Sequence, residues 1–192
     1  KGENNMFKTD YSKLGNNDFS AMPAGEYELV IVNSQEKTTK NGKEALSLRL
    51  AVRNDLTKVP TLANTNGKYA NRNIFVDEWK RNIEGVYKYS QDNIMYILAA
   101  VGIPEGTPIN SMNELHDMLY HKPVRAYVKK EFDEYQNDEI NTIAPWNFKP
   151  TEYPQCNHTF KENNDKSKGQ ADPFEFEKAE NPIDISMEEL PF

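Results

Sequence analysis

Ten bases fall between residues 37 and 81: Lys37, Lys40, Lys43, Arg49, Arg53, Lys58, Lys68, Arg72, Lys80 and Arg81. Four acids oppose them, Glu44, Asp55, Asp77 and Glu78, so the stretch carries six surplus positive charges. A cluster of this kind can be no more than a solvated face. Here aromatics interleave with it: Tyr69, Phe75 and Trp79, then Tyr127, Phe132, Tyr135, Trp146 and Phe148 further on. Cations neutralise phosphates, and flat rings stack on bases at about 1–3 kcal/mol each. The mixture suits a single-stranded nucleic acid, bound with little sequence preference because every base has a π-face. Large rings also build cores, and Phe75, Trp79, Trp146 and Phe148 are expected inside. Tyr127 is expected outside as a stacking platform, because Arg125 and Lys129 share its face in an alternating strand. The expected contacts are Lys37, Lys40, Lys43, Arg49, Arg53, Lys68, Tyr69, Arg72, Arg125, Tyr127 and Lys129.

A different chemistry closes the chain. The formal net charge of −7 over 192 residues argues, taken whole, against a nucleic-acid partner. The deficit is concentrated. Residues 172–192 hold seven acids and one base, Lys178, which leaves 22 bases and 23 acids in residues 1–171. The body is nearly neutral and the tail is acidic. The tail ends in Met187-Glu188-Glu189-Leu190-Pro191-Phe192. The Phe192 ring suits an apolar pocket, and its α-carboxylate suits a basic rim. Glu188 and Glu189 add attraction to a basic partner. Glu188, Glu189, Leu190, Pro191 and Phe192 are the expected protein-binding residues.

Signals for catalysis are weak. Cys156-Asn157-His158 is a single Cys-x-His pair without the paired spacing of a zinc site. Asp55 followed by Glu78-Trp79-Lys80 matches the Asp…Glu-x-Lys spacing of metal-dependent nucleases. There carboxylates hold a divalent cation and the lysine assists the attacking water. That spacing is common by chance. The expectation is a non-enzyme without metal or cofactor. A nuclease using Asp55, Glu78 and Lys80 is one alternative, and a protein-only adaptor acting through the tail is another. No apolar run approaches the ~18 residues of a membrane span. The N-terminal Lys-Gly-Glu-Asn-Asn lacks the apolar stretch of a signal peptide, and the lone Cys156 fits a reducing cytoplasm.

These residues need elements to hold them. Residues 1–22 are polar and are expected to form a flexible arm. Pro23-Ala24-Gly25 feeds a β-branched and aromatic strand. Asn41-Gly42 predicts a tight hairpin with positive φ at both central residues. In the second strand Leu46, Leu48, Leu50 and Val52 face the core, while Ser47, Arg49, Ala51 and Arg53 face away. Residues 54–68 are a polar loop, and Tyr69–Trp79 a third strand. Ile94, Ile97, Leu98 and Val101 mark a helix that ends at Gly102-Ile103-Pro104. Ser111-Met112-Asn113-Glu114 opens a second helix with a capping box. A fourth strand begins at Pro123, and a fifth runs from Glu139 to Phe148. Three strands, a helical insert and two strands is the element order of a mainly β, five-stranded OB-fold-like barrel. Other small barrels, or an open meander backed by helices, share that order. The domain is expected over residues 23–154, a polar linker over 155–171 and a disordered acidic tail over 172–192.

Four segments carry a resemblance. Pro23-Ala24-Gly25-Glu26-Tyr27-Glu28 and Lys37-Thr38-Thr39-Lys40-Asn41-Gly42-Lys43-Glu44 resemble the first hairpin of phage-encoded single-stranded DNA-binding proteins. Leu98-Ala99-Ala100-Val101-Gly102-Ile103-Pro104-Glu105-Gly106 and Ala144-Pro145-Trp146-Asn147-Phe148-Lys149-Pro150 are similar to later segments of that family. The resemblance spans about residues 19–154. It implies an OB-like fold, single-stranded DNA as partner, and a role in phage replication, recombination or repair within the bacterial host cytoplasm. A homo-oligomer is compatible with it. Separately, the tip resembles that of bacterial single-stranded DNA-binding proteins, Asp-Asp-Asp-Ile-Pro-Phe, with Met187 standing in place of one acid. That implies docking of replication and recombination proteins.

Overall fold

Residues 20–160 are described by the structure, a computed structural model. Most of the expected arm, the linker beyond 160 and the whole acidic tail lie outside the described residues. In chain order the elements are β1 (Gly25–Thr38), β2 (Glu44–Val52), α1 (Asn66–Tyr69), β3 (Asn73–Trp79), β4 (Arg81–Ile83), β5 (Val86–Lys88), α2 (Gln91–Ala100), α3 (Met112–Leu119), β6 (Pro123–Asp133), β7 (Asp138–Thr142) and β8 (Phe148–Lys149). The fold is mainly β. One sheet runs β3-β2-β1-β6-β7, with β8 also on β6, and every pairing in it is antiparallel.

Several expectations about the strands and turns need correcting. The described residues hold eight strands, not five, and β3 and β7 end the sheet path without pairing, so no barrel closes. The expected fifth strand stops at Thr142, because Pro145 opens a 3-10 turn with no amide to give a ladder. The expected third strand starts late: Asn66–Tyr69 is a helical turn, and Asn71 takes a positive φ of 67° before β3 begins. β4 and β5 form a hairpin that the sequence reading did not anticipate. Glu84 and Gly85, with φ of 55° and 81°, make the two-residue turn there. The β1–β2 turn is wider than Asn-Gly suggests. Gly42 alone has positive φ, the Gly42 amide donates to the Thr39 carbonyl at 2.9 Å, and a three-residue loop results.

The core follows the expected alternation. Leu29, Ile31, Leu46, Leu48, Leu50, Val52, Ile74, Val124, Ala126 and Val128 fill the concave face. Ile97 and Leu98 of α2 and Leu115 and Leu119 of α3 cap it. Met22, placed in the flexible arm by sequence, is 1% exposed in this core, held by Asn141 through both its backbone groups. Ser111 caps α3 as expected, accepting from the Glu114 amide at 3.1 Å. The return arm of the capping box falls one residue early, on the Asn110 amide at 2.7 Å.

Residues 150–160 pack back on the domain as a strap. Their anchor is Arg53, expected on the outer face but 0% exposed. It pairs with Asp55 at 2.6 Å and donates to the Tyr153 and Gln155 carbonyls, both at 2.6 Å. A charge leaves water only when its donors are spent in this way. Nearby, buried Asn66 accepts from the Glu28 amide and donates to the Glu28 and Arg53 carbonyls. The Asn54 amide donates to His158 Nδ1 at 3.1 Å, and Phe160 stacks on His121. The linker expected to start at 155 is therefore ordered through 160.

Arg53→Ala is expected to cost about 3–5 kcal/mol in urea unfolding, since it leaves Asp55 buried and unpaired. A loss within experimental error would show that the strap is held elsewhere. Acid should weaken the same region. Burial alone would raise the Asp55 carboxyl, but Arg53 and the Asn157 amide outweigh it and hold it below the ordinary carboxylate range. Its contribution is present above pH ~4 and lost as pH falls through the lowered value. Burial also lowers the His158 pKa, so the ring stays a neutral acceptor below the ordinary histidine range and that role is lost as pH falls through the lowered value. Melting temperature should fall with pH in the wild type, and the fall below pH ~4 should be smaller in Asp55→Asn.

Candidate nucleic-acid interface

Residues directly opposed across a ladder share a face of the sheet. Along β1, β2 and β3 the outward rungs are Lys37–Ala45–Trp79, Gln35–Ser47–Asp77 and Asn33–Arg49–Phe75. A bulge at Val32 keeps this phase, with Ile31 inward and Asn33 outward. On β3, Phe75, Asp77 and Trp79 point away while Ile74 is buried beneath them.

Two rings therefore stand on a polar floor. Phe75 is 64% exposed and Trp79 38% exposed, against the expectation that both are core. Trp146, also expected inside, is 61% exposed, whereas Phe148 is buried as expected. The rings of β3 lie outside because the core is already filled by aliphatic residues from β1, β2 and β6. Trp79 follows Phe75 by four positions, or roughly 13 Å of strand. Between them the floor offers Asn33, Gln35 and Ser47 as hydrogen-bonding groups.

Arg49 sits half-buried beside Phe75 on this floor. Its Nε has no hydrogen-bond partner, and among the described residues no carboxylate pairs with it. Lys40 and Lys43 are exposed at the hairpin tip, also without ion pairs among the described residues. Lys37 bonds Asp77 at 2.5 Å and lies 5.2 Å from the centre of the Trp79 ring. The arrangement offers a guanidinium and three ammonium groups around two flat apolar surfaces.

The other expected contacts are dispersed. Arg53 is the buried anchor already described. Tyr69 packs against the core, edge-on to Tyr27, and Lys68 lies over the Tyr69 ring. Both belong to α1, where a polar loop was expected at Lys68 and the third strand at Tyr69. Arg72 donates to the Ser20 carbonyl at 2.6 Å. Arg125, Tyr127 and Lys129 do face outward from β6, but opposite Glu28 and Glu26 in the first half of β1. Glu28 and Asn33 are five residues apart, so this triplet begins roughly 16 Å from the Arg49 rung. Acids offset its charge: Arg125 contacts Glu152 and Glu26, and Lys129 lies 3.8 Å from Glu131. Tyr127 is 38% exposed there.

The nuclease pattern does not assemble. Glu78 opposes Leu46 near one end of β2, and Asp55 follows the other end, roughly 20 Å away along the strand. Glu78 bonds Asn93 and Arg81, Asp55 bonds Arg53, and Lys80 bonds Glu44. Sequence reasoning missed Asn33, Gln35, Ser47, Phe75 and Trp79 as one surface. The same period of two, applied to β1 and β3 as it was to β2, contains that signal. No helix among the described residues is long and apolar enough to cross a membrane.

The profile of a family described as a protein of unknown function (DUF669) matches residues 7–169. Among curated proteins none matches the chain. The matched span takes in every strand and helix above, and the chain belongs to the DUF669 family.

Proposed function

We propose that the protein binds single-stranded DNA across the outer face of β1, β2 and β3, without catalysis. The observation that carries this reading is Arg49, a half-buried cation without an acid partner among the described residues, on the same face as the exposed rings of Phe75, directly opposite it, and Trp79, two rungs along. A buried donor left unmatched within a protein is costly, and a phosphate oxygen would satisfy it. Phe75 and Trp79 stack bases, while Lys37, Lys40 and Lys43 track the backbone.

The sheet path supports an OB-like architecture, open between β3 and β7. The second and third strands of that fold are its usual oligonucleotide face. The resemblance of the two hairpin segments to phage single-stranded DNA-binding proteins points the same way. The tip Glu188-Glu189-Leu190-Pro191-Phe192 then recruits replication or recombination proteins by its acids and terminal ring.

The chain has two tryptophans, and Trp146→Phe leaves Trp79 as the reporter. A mixed-sequence single strand titrated at about 50 mM salt should quench its fluorescence, with log affinity falling against log salt by about 0.7 per phosphate neutralised. Arg49→Met should lower the slope by about 0.7 and weaken binding, and Phe75→Ala should weaken binding at an unchanged slope. An unaltered Trp79 signal, or equal affinity for duplex, would remove the reading. Tighter binding to RNA of the same sequence would reassign the ligand.

A further inference from the structure

We propose that Asp77 makes this surface select nucleobases carrying an exocyclic amino group over thymine. The inference rests on the single-stranded DNA reading above. Asp77 lies midway between Phe75 and Trp79 on the outward face of β3, opposite Ser47. One carboxylate oxygen, Oδ2, accepts from Lys37. The other, Oδ1, is buried and has no hydrogen-bond partner. An acceptor left in that state is costly, and a donor arriving beside it is correspondingly favoured.

Lys37 covers both halves of the feature. Its ammonium bonds Asp77 and stands over the Trp79 ring at 5.2 Å. It occupies the position that a stacked base would take. A base arriving on Trp79 displaces that ammonium, whose flexible stem can carry it to a neighbouring phosphate. Asp77 then loses its cation and faces the edge of the incoming base. A carboxylate can only accept, so it pairs with the amino group of cytosine, adenine or guanine. Thymine offers it one imide N–H between two carbonyl oxygens, which repel a carboxylate.

The cleft beside Asp77 favours the same orientation. It measures about 490 Å³ between β3 and β7, and Asp77, Asp133, Asp138 and Glu139 line it together with one cation, Arg72. Four carboxylates against the single Arg72 leave the cleft acidic, which disfavours phosphate and favours amino groups as donors. Asp133 is engaged by the Tyr135 and Gln136 amides, and Glu139 by Lys130, whereas Asp77 keeps one oxygen unmatched. The base edge therefore turns toward the cleft and the backbone toward Arg49 and Lys37.

Anisotropy of labelled deoxycytidine and thymidine homopolymers, titrated with the full chain, tests this. The wild type should bind the cytidine strand about tenfold tighter. Asp77→Ala removes a repulsive charge and should tighten binding to both strands, but the cytidine-to-thymidine ratio should fall about tenfold. Asp77→Asn, which can both donate and accept, should also flatten the ratio and guards against misfolding of the alanine variant. Oligomer-specific differences in stacking cancel between wild type and variant. A purely electrostatic or structural role for Asp77 would shift both strands together and leave the ratio fixed, which overturns the proposal while leaving the DNA-binding reading intact. Failure to bind either strand overturns both.

Discussion

Backbone amides and carbonyls along β1 have to be satisfied on both edges, and different strands satisfy them at its two ends. Gly25–Val30 pair with β6 on one edge, and Leu29–Thr38 pair with β2 on the other. Only Leu29 and Val30 serve both ladders. Beyond them the free edge of β1 is taken up locally: the Ile31 amide donates to the Lys122 carbonyl, and the His121 amide to the Ile31 carbonyl. One strand shared in this way must bend, and the bulge at Val32 supplies the bend without exchanging inner and outer faces. The bend swings β2 and β3 round, so that β3 comes near β7 at the far end of the sheet path with a cleft between them. It also separates the outer surface into two regions with different fates.

Over the first half of β1 the outer face is covered. Glu28 is 1% exposed, and it accepts from the Glu152 amide and the Thr151 hydroxyl of the strap. Arg53 and Asn66 complete that polar layer from the other side. These groups are charged or amide-bearing, yet they hold the fold together and are spent doing so. Over the second half of β1 nothing among the described residues covers the sheet. There the outward side chains are Asn33, Gln35, Lys37, Ser47, Arg49, Phe75, Asp77 and Trp79. The same cations that cluster in the sequence thus divide between a buried clamp and an open face. Their partners, more than their number, decide which is which.

Alternation in β2 and β6 was legible because both strands bury one clean apolar face, and the structure keeps it at Leu46, Leu48, Leu50, Val124, Ala126 and Val128. Two helix ends were legible too, since Ser111 and Gly102 act through local backbone chemistry, whereas the Ser90 cap of α2 was not read. Arg53 was misread because alternation assumes that the strand continues, whereas β2 ends at Val52 and the chain turns the guanidinium inward to Asp55. No local pattern announces a partner a hundred residues later at Gln155. Tyr69 was misread for a related reason: Asn66–Gly67 starts a helical turn where aromatic content alone suggests a strand. Phe75 and Trp79 were assigned to the core on size, and only the competition for core volume, settled by other strands, places them outside. The acidic tail tip and its proposed partners rest on sequence.

The central claim is that single-stranded DNA lies across the second half of β1 and over β2 and β3. Ultraviolet cross-linking of a bound single strand, followed by mass spectrometry of the peptides, locates the contact most directly. Adducts are expected on Phe75 and Trp79, with protection of Lys37, Lys40 and Lys43 from amine modification. Adducts centred on Tyr127 of β6 or Trp146 of the 3-10 turn, with Phe75 and Trp79 unmodified, would contradict it.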